Sequence, residues 1–268
     1  MSNPSRSSRP SKPKTWNAEA SVFALPPPYR VAMFLDIDGT LLDFAPHPGD
    51  VIADAELIAL IGNIHRATDG AVAFVSGRSV ADIDRIFAPL VLAAAGLHGA
   101  EMRLPDNSRH CTPSSLLDDS RPFVRAFVDA NPGLLLEDKG ATIAVHFRQR
   151  PELAEAVLQA LQPFGSRGAL EVLTGKFVAE LKPRAHDKGG AIARLLALPP
   201  FAGRIPVFIG DDRTDEEGFE YVNQRGGFSV RIDPVQSPTN ARVRIANPAA
   251  LRRLLKEFVR SPVIEARA

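Results

Sequence analysis

Short apolar runs recur along this chain, and most are followed by a segment with helical spacing of its apolar residues. The runs are 31–35, 71–75, 90–95 and 205–209. Continuous apolar runs of this length are typical of strands buried on both faces. Strands that alternate with helices predict a parallel sheet covered by helices on both sides. The helical spacing is carried by Leu57, Ile61 and Ile64, by Ile192, Leu195 and Leu196, and by Leu251, Leu254, Leu255 and Phe258.

The pattern changes between residues 105 and 182. A helical segment over 114–130 is followed by a strand-like pair, 134–137 and 142–147, with a turn at Lys139-Gly140 between them. A second helical segment then precedes two more short strands, at 169–173 and 177–181. Paired short strands with helices beside them predict a smaller α+β domain. We therefore expect a core formed by 31–104 and 183–268, with 105–182 inserted as a cap over one edge of the sheet.

The first 30 residues differ from the rest in composition. They are rich in Ser, Pro, Lys and Arg and contain three consecutive prolines at 26–28. Such a segment buries too little apolar surface to offset the entropy of ordering, so a flexible basic tail is expected. Docking of this tail to an acidic partner is the alternative interpretation.

Overall composition limits the classes of function. The chain is 45% apolar and 24% charged, as globular proteins are. Its 32 Lys and Arg balance 31 Asp and Glu, so no general attraction to nucleic acid or to an anionic membrane is expected. No apolar run is long enough to span a bilayer, and the single cysteine, Cys111, has no partner within the chain. A location in the cytoplasm is predicted.

A pair of acids follows the first predicted strand, in the sequence Asp36-Ile37-Asp38-Gly39-Thr40-Leu41. Ligands of open parallel sheets bind at the carboxyl ends of the strands, so both carboxylates are expected in a crevice there. Asp36 is suited to nucleophilic attack on phosphorus, and Asp38 to proton transfer to the leaving oxygen and from water. Attack by an anion on a phosphate requires a screening cation, which predicts Mg²⁺ at Asp36. The alternative is an Asx turn without catalytic function.

Two further signals follow in the chain. Ser76-Gly77-Arg78 comes after the strand 71–75, where a hydroxyl and backbone N–H groups at a helix start can bind a phosphate oxygen. Lys188 precedes Gly189-Gly190 at another predicted helix start, where its ammonium can neutralise a phosphoryl group. Each is weak alone, because a Ser-Gly helix entry and a solvated lysine are both common.

The last signal is an acidic cluster, 210–216, after the strand 205–209. Acids this close repel one another unless a metal ion or a helix N-terminus compensates. Asp211 is predicted as a metal ligand, and Asp215 to hold metal-bound water or to orient Lys188. Thr214 is a candidate helix cap, in which case some of these acids serve only the helix dipole.

In these four motifs and their order, the chain resembles the haloacid dehalogenase superfamily. The resemblance implies a Rossmann-like α/β core with a C2-type cap. It also implies a nucleophile at Asp36, an acid/base at Asp38, and phosphate ligands at Ser76 and Lys188. Mg²⁺ would then be bound by Asp36, by the backbone carbonyl of Asp38 and by Asp211.

The form of the acidic cluster is similar to that of the trehalose-6-phosphate phosphatase family. Further similarities are the segments 98–101, 137–140, 146–148, 175–176 and 180–183. The family's cap residues bind glucose hydroxyls, which implies this role for Glu101, Lys139, Arg148, Lys176 and Glu180. The candidate substrate-binding residues nearer the phosphate are Gly39, Thr40, Gly77 and Arg78.

Hydrolysis of trehalose 6-phosphate is the preferred hypothesis. A related phosphatase acting on sucrose phosphate or a glycosyl phosphoglycerate would keep the core residues and change the roles in the cap. A catalytically silent sugar-phosphate-binding regulator is the third hypothesis. This regulator would dock to a trehalose-6-phosphate synthase through the basic tail.

Overall fold

The computed structural model describes residues 25–43, 48–166, 168–175, 177–235 and 237–260. Most of the predicted tail and the candidate sugar ligand Lys176 lie outside these residues. Of the predicted tail, Pro28–Arg30 form a single 3₁₀ turn directly before the first strand.

Within the described residues the chain forms twelve strands and seven α-helices. The strands are β1 Val31–Leu35, β2 Val72–Val75, β3 Ala93–Gly96, β4 Glu101–Arg103, β5 Arg109–Cys111, β6 Leu135–Asp138, β7 Ile143–His146, β8 Leu170–Gly175, β9 Val178–Pro183, β10 Ile205–Gly210, β11 Phe228–Ile232 and β12 Val243–Ile245. The helices are α1 Ala55–Ala67, α2 Val80–Phe87, α3 Arg121–Asp129, α4 Ala154–Gly165, α5 Lys188–Leu196, α6 Glu216–Gln224 and α7 Pro248–Arg260.

The larger sheet has the strand order β12-β11-β10-β1-β2-β3-β4-β5 among the described residues. Its first six strands are parallel, and β4 and β5 add an antiparallel edge. The central strand β1 is buried along its whole length, as its continuous apolar run predicts. The prediction of a parallel α/β sheet is confirmed, and the antiparallel edge was not predicted.

Helices cover both faces of this sheet. Apolar residues of α1, α2 and α7 pack on one face, among them Leu57, Ile83 and Leu255. Those of α5 and α6 pack on the other, among them Ile192 and Phe219. Full burial of each such side chain stabilises the fold by roughly 1.5–3 kcal/mol. Two apolar layers therefore hold the sheet rigidly between them.

A second, antiparallel sheet has the order β6-β7-β9-β8. Helices α3 and α4 pack against it, and their apolar residues share a separate cluster with Val145 and Leu181. Helix α3 begins later than the predicted 114, because Ser114–Leu117 form a 3₁₀ turn and Pro122 stands in the first turn of α3. Strand β5 lies within the predicted range 105–182 but pairs with β4 of the larger sheet, so the change of sheet falls after Cys111 rather than at Pro105.

The parallel topology brings the carboxyl ends of β1, β2 and β10 to one edge. Asp36, Ser76 and Asp211 each follow one of these strands, and the start of α5 places Lys188 beside them. Among the described residues, no helix is long and apolar enough to cross a membrane.

Candidate active site

Asp36 is held in a fixed orientation at the end of β1. Its backbone N–H donates to Ile209 O at 2.9 Å, which ties it to β10. Its Oδ2 accepts from Thr40 Oγ1 at 3.0 Å, and its Oδ1 accepts from Lys188 Nζ at 2.8 Å. Gly39 has a φ of 75°, a left-handed conformation that returns the chain so that Thr40 can reach Asp36. Both carboxylate oxygens are therefore directed by hydrogen bonds.

Lys188 lies between two carboxylates. Its Nζ is 2.8 Å from Asp36 Oδ1 and 2.6 Å from Asp215 Oδ1, and all three side chains are buried. Burial lowers the pKa of Lys188, but Asp215 and Asp36 more than offset this, and the net shift is upward. Lys188 is thus a permanent cation next to Asp36.

Asp215 does not face the solvent. Its Oδ2 accepts from the backbone N–H groups of Asp211 and Asp212, both at 2.9 Å. With Asp212 it forms a capping box around the 3₁₀ turn Arg213–Asp215, so the cap predicted at Thr214 is wrong. Two acids of the cluster cap this turn, while Asp215 also orients Lys188.

Asp36, Asp211 and Asp215 each offer an oxygen within 4.8 Å of the others. Burial raises the pKa of Asp36 to about 7, since the repulsion from Asp215 reinforces burial and Lys188 opposes it only in part. Burial and the repulsion from Asp36 and Asp215 raise the pKa of Asp211 to about 9. One lysine does not balance three ionised carboxylates, so two of them hold protons more tightly than an ordinary aspartate does. Oxygen donors with this imbalance fit a hard divalent cation.

The carboxylate of Asp38 is paired with Arg78. Arg78 donates from Nε to its Oδ2 at 2.6 Å and from Nη2 to its Oδ1 at 2.7 Å. Nη1 of the same arginine donates to Asp82 at 2.6 Å. Burial lowers the pKa of Arg78, but its bonds to Asp38 and Asp82 outweigh this and raise it. The structure therefore places Arg78, predicted as a substrate ligand, against the predicted acid/base.

A cavity of about 1210 Å³ lies between the two sheets. One wall comes from the larger sheet and the opposite wall from the smaller one, with Asp36 at the base. Of the predicted site residues, those that line it are Asp36, Asp38, Ser76, Gly77, Arg78, Lys139, Arg148, Glu180, Lys188 and Asp211. Gly39, Thr40 and Asp215 are not among the lining residues, but Thr40 and Asp215 are buried and hydrogen-bond to Asp36 and Lys188.

Glu101 is not among the described residues that line the cavity. Its Oε2 accepts from the backbone N–H of Val80 at 2.8 Å, at the start of α2. Its carboxylate thus binds an unpaired N–H group of a helix N-terminus, where negative charge is favoured. The structure does not bring it to the predicted sugar site.

The wall formed by the smaller sheet carries paired charges. Glu180 lies 3.5 Å from Lys139 and 3.4 Å from His98. Burial raises the pKa of Glu180, but Lys139 and His98 outweigh burial and lower it. The hydrogen bond between His146 Nε2 and Glu137 Oε2, at 2.8 Å, is the main cause of the lowered pKa of Glu137. Lys139 lies near both acids, at 3.5 Å from Glu180 and 3.8 Å from Glu137, and favours their ionised forms.

His98, Glu137 and His146 are among the residues of the cavity to which the sequence assigned no role. Each stands in a segment whose similarity to the family is visible in the sequence. The choice of Glu101 over His98 in the segment 98–101 depends on the backbone direction at each residue, which the sequence does not display.

The fold and the site together define the class of protein: a phosphatase of the haloacid dehalogenase superfamily. Its features are an acid pair after the central strand, a buried lysine and an acidic cluster beneath a capped cavity. The sequence model of the family described as trehalose-phosphatase matches residues 34–249. The chain belongs to the trehalose-phosphatase family.

Individual relatives agree. Trehalose-6-phosphate phosphatase of Escherichia coli K12 is 39% identical over 208 residues, covering 76% of this chain and 77% of the relative. A probable trehalose-phosphate phosphatase of Sinorhizobium fredii is 40% identical over 229 residues, covering 84% of this chain and 86% of the relative. A crystal structure of a trehalose-6-phosphate phosphatase related protein has a TM-score of 0.69 at 27% identity. The match covers 85% of this chain and 96% of that protein.

Proposed function

We propose that this chain hydrolyses trehalose 6-phosphate to trehalose and inorganic phosphate through a phospho-aspartate at Asp36. The observation that carries the proposal is the position of Asp36. It lies at the base of the cavity with both oxygens directed by Thr40 and Lys188, next to Asp211. Family membership supports the substrate.

In the first step a carboxylate oxygen of Asp36 attacks phosphorus, and the bond from phosphorus to the sugar oxygen breaks. Ser76 and Lys188 bind the phosphoryl oxygens and offset their charge. Asp38 gives its proton to the leaving sugar oxygen. In the second step Asp38 takes a proton from water, the resulting hydroxyl attacks phosphorus, and phosphate leaves with Asp36 restored.

Arg78 sets a condition on the proton transfer. It occupies both oxygens of Asp38, so Asp38 reaches the sugar oxygen only when it exchanges one of these hydrogen bonds for the substrate. Asp82 gives Arg78 a second anionic partner throughout. The arginine is therefore well suited to hold Asp38 at the cavity between turnovers.

Mg²⁺ is the proposed cation. Asp36 and Asp211 would hold it together with the backbone carbonyl of Asp38, with Asp215 behind them. When bound, Mg²⁺ would supply the positive charge that screens Asp36 from the phosphate and stabilises the transferring group. Hard oxygen donors and the uncompensated charge at these carboxylates support this assignment.

The sugar would occupy the far end of the cavity. Lys139 donates and Glu180 accepts there, as the directional hydroxyls of a sugar require. The guanidinium of Arg148 lies 5.8 Å from the centroid of the Phe177 ring, and both residues line the cavity. Lys176, outside the described residues, remains a predicted ligand.

The test is phosphate release from trehalose 6-phosphate, glucose 6-phosphate and sucrose 6-phosphate, with Mg²⁺ or with a chelator, for the wild type and Asp36→Asn. We expect metal-dependent, Asp36-dependent preference for trehalose 6-phosphate. Preference for another sugar phosphate would leave the proposed mechanism at Asp36 intact but would show that trehalose 6-phosphate is not the substrate. Binding without turnover would favour the silent regulator, against which the intact acid cluster argues. Synthase docking through residues 1–30 and a cytoplasmic location remain predictions.

A further inference from the structure

His98 has an unusual backbone. It follows β3, and its φ is 57°, in the left-handed region that few residues other than glycine adopt. Leu97 before it, with a φ of 49°, is left-handed as well. Two consecutive residues in this region persist only when the surrounding structure imposes it, and such strain is concentrated at functional sites. The conformation places a buried histidine side chain at the cavity.

His98 touches both walls of the cavity. On the side of the larger sheet its backbone N–H donates to Ser76 O at 3.1 Å, and a β-carbon at Gly77 would lie only 2.9 Å from its Nε2. On the side of the smaller sheet the same Nε2 lies 3.4 Å from Glu180 Oε2. The imidazole thus fills the space between the proposed phosphate-binding turn and strand β9.

Glu180 has one oxygen in use and one available. Oε2 faces His98, whereas Oε1 is buried and accepts no hydrogen bond of normal geometry from any described residue, although the buried Thr142 hydroxyl also lies near this carboxylate. Its nearest cation is Lys139, at 3.5 Å. Lys139 in turn donates to Gly77 O at 3.4 Å, so it also bridges the two walls. A buried carboxylate oxygen without a donor in a polar cavity calls for a ligand that supplies one, and a sugar hydroxyl does so.

We propose that His98 is a positioning residue that selects for the sugar: it holds Glu180 by Oε2, so that Oε1 faces the substrate's hydroxyl at a set distance from the Ser76–Gly77 turn. This inference rests on the proposed function, because it assumes that a sugar phosphate occupies the cavity. Without His98 the phosphoryl group still meets Asp36, but the sugar loses its correctly placed acceptor.

The experiment compares two substrates, trehalose 6-phosphate and para-nitrophenyl phosphate, which lacks the sugar hydroxyls. His98→Asn retains a residue that tolerates the left-handed backbone but shortens the side chain. We expect kcat/KM for trehalose 6-phosphate to fall roughly ten- to a hundred-fold, as for loss of a hydrogen bond to a charged group. Hydrolysis of para-nitrophenyl phosphate should change less than about two-fold.

Three further variants sharpen the result. His98→Gln places an amide nitrogen near the position of Nε2 and should recover part of the loss. His110→Asn, at an exposed histidine on β5, is the matched control and should behave as the wild type. The double variant of His98→Asn and Glu180→Gln should lose no more than Glu180→Gln alone, because both changes remove the same contact.

Equal losses on both substrates, or additive losses in the double variant, would overturn the proposal. If the wild type prefers a different sugar phosphate, the proposed function fails separately, and the same variants are measured on that substrate. If no sugar phosphate is turned over and none binds to Asp36→Asn in calorimetry, both proposals are overturned.

Discussion

The two charged clusters that line the cavity differ in how well their carboxylates are compensated. At the base, three carboxylates share one lysine, and the pKa of Asp36 and of Asp211 is raised. On the opposite wall, Glu180 and Glu137 lie among Lys139, His98 and His146, and the pKa of both glutamates is lowered.

The difference indicates what each cluster binds. Repelling carboxylates gain most from a cation, whereas carboxylates that already have cationic partners gain little from a metal ion and can accept hydrogen bonds from neutral hydroxyls. The proposed function accordingly assigns metal and phosphate to the base of the cavity and the sugar to the opposite wall. The following experiments perturb one cluster while the other serves as its reference.

The largest effect is expected at the base. Asp36→Asn removes the nucleophile, so phosphate release should fall at least about a thousand-fold on every substrate. Asp69→Asn, at a largely exposed aspartate with a left-handed backbone, is the matched control and should leave the rate unchanged. Residual turnover near the wild-type rate would exclude Asp36 as the nucleophile.

Removal of the metal ion should have the second-largest effect on activity. A chelator is expected to lower phosphate release at least about a hundred-fold, and Mg²⁺ should restore it. Because a cation binds the folded carboxylates, Mg²⁺ should also raise the unfolding temperature of the wild type, but not that of Asp211→Asn. An identical thermal shift in both proteins would place the metal elsewhere.

A change at the opposite wall should act on the sugar alone. Glu180→Gln keeps the size of the side chain and removes its charge, so kcat/KM for trehalose 6-phosphate should fall roughly ten- to a hundred-fold. With para-nitrophenyl phosphate the rate should stay near that of the wild type. A comparable loss on both substrates would show that the two clusters do not act separately.

A pH series on the metal-free protein tests the charge balance directly. The ordinary pKa of an aspartate, 3.8, is raised to about 7 at Asp36 and to about 9 at Asp211, so the folded state binds protons that the unfolded state releases. These groups should therefore make the protein less stable as pH rises from about 4 to about 9. The lowered pKa of Glu180 has no effect in most of this window, since its contribution is lost only below its ordinary value of 4.5.

Thermal unfolding in chelator at about pH 5 and about pH 9 measures the slope of stability against pH. Asp211→Asn removes one of the repelling carboxylates and should flatten it, as should saturating Mg²⁺ in the wild type. A slope that Asp211→Asn leaves unchanged would assign the pH dependence to other groups.

The smallest effect on activity is expected at Glu101. Glu101→Ala removes the acceptor for Val80 N–H, which should cost about 1 kcal/mol of stability, as loss of a helix cap does. Sugar selectivity, measured as the ratio of kcat/KM for trehalose 6-phosphate and glucose 6-phosphate, should not change. A lower ratio would show that Glu101 contributes to sugar binding, as the resemblance to the family implied.

The sequence allowed prediction of the parallel sheet and of the motifs at its strand ends. Apolar runs locate β1 and β10 within a residue, and Asp36 and Asp211 follow them directly. These carboxylates are then expected to lie close together, because neighbouring parallel strands end at the same edge of the sheet. The edge strands β4 and β5 were not predicted, because three residues are too few to show a periodic pattern of apolar positions.

By itself, therefore, the sequence determined which chemical groups stand at the ends of buried strands, because burial and chain direction are local properties of the pattern. Tertiary structure alone decided which partner each group has. Arg78 meets Asp38 across 40 positions and Glu180 meets His98 across two sheets. Such pairs depend on register, on left-handed turns and on the placement of the smaller sheet, which arise only when the packed elements fix one another.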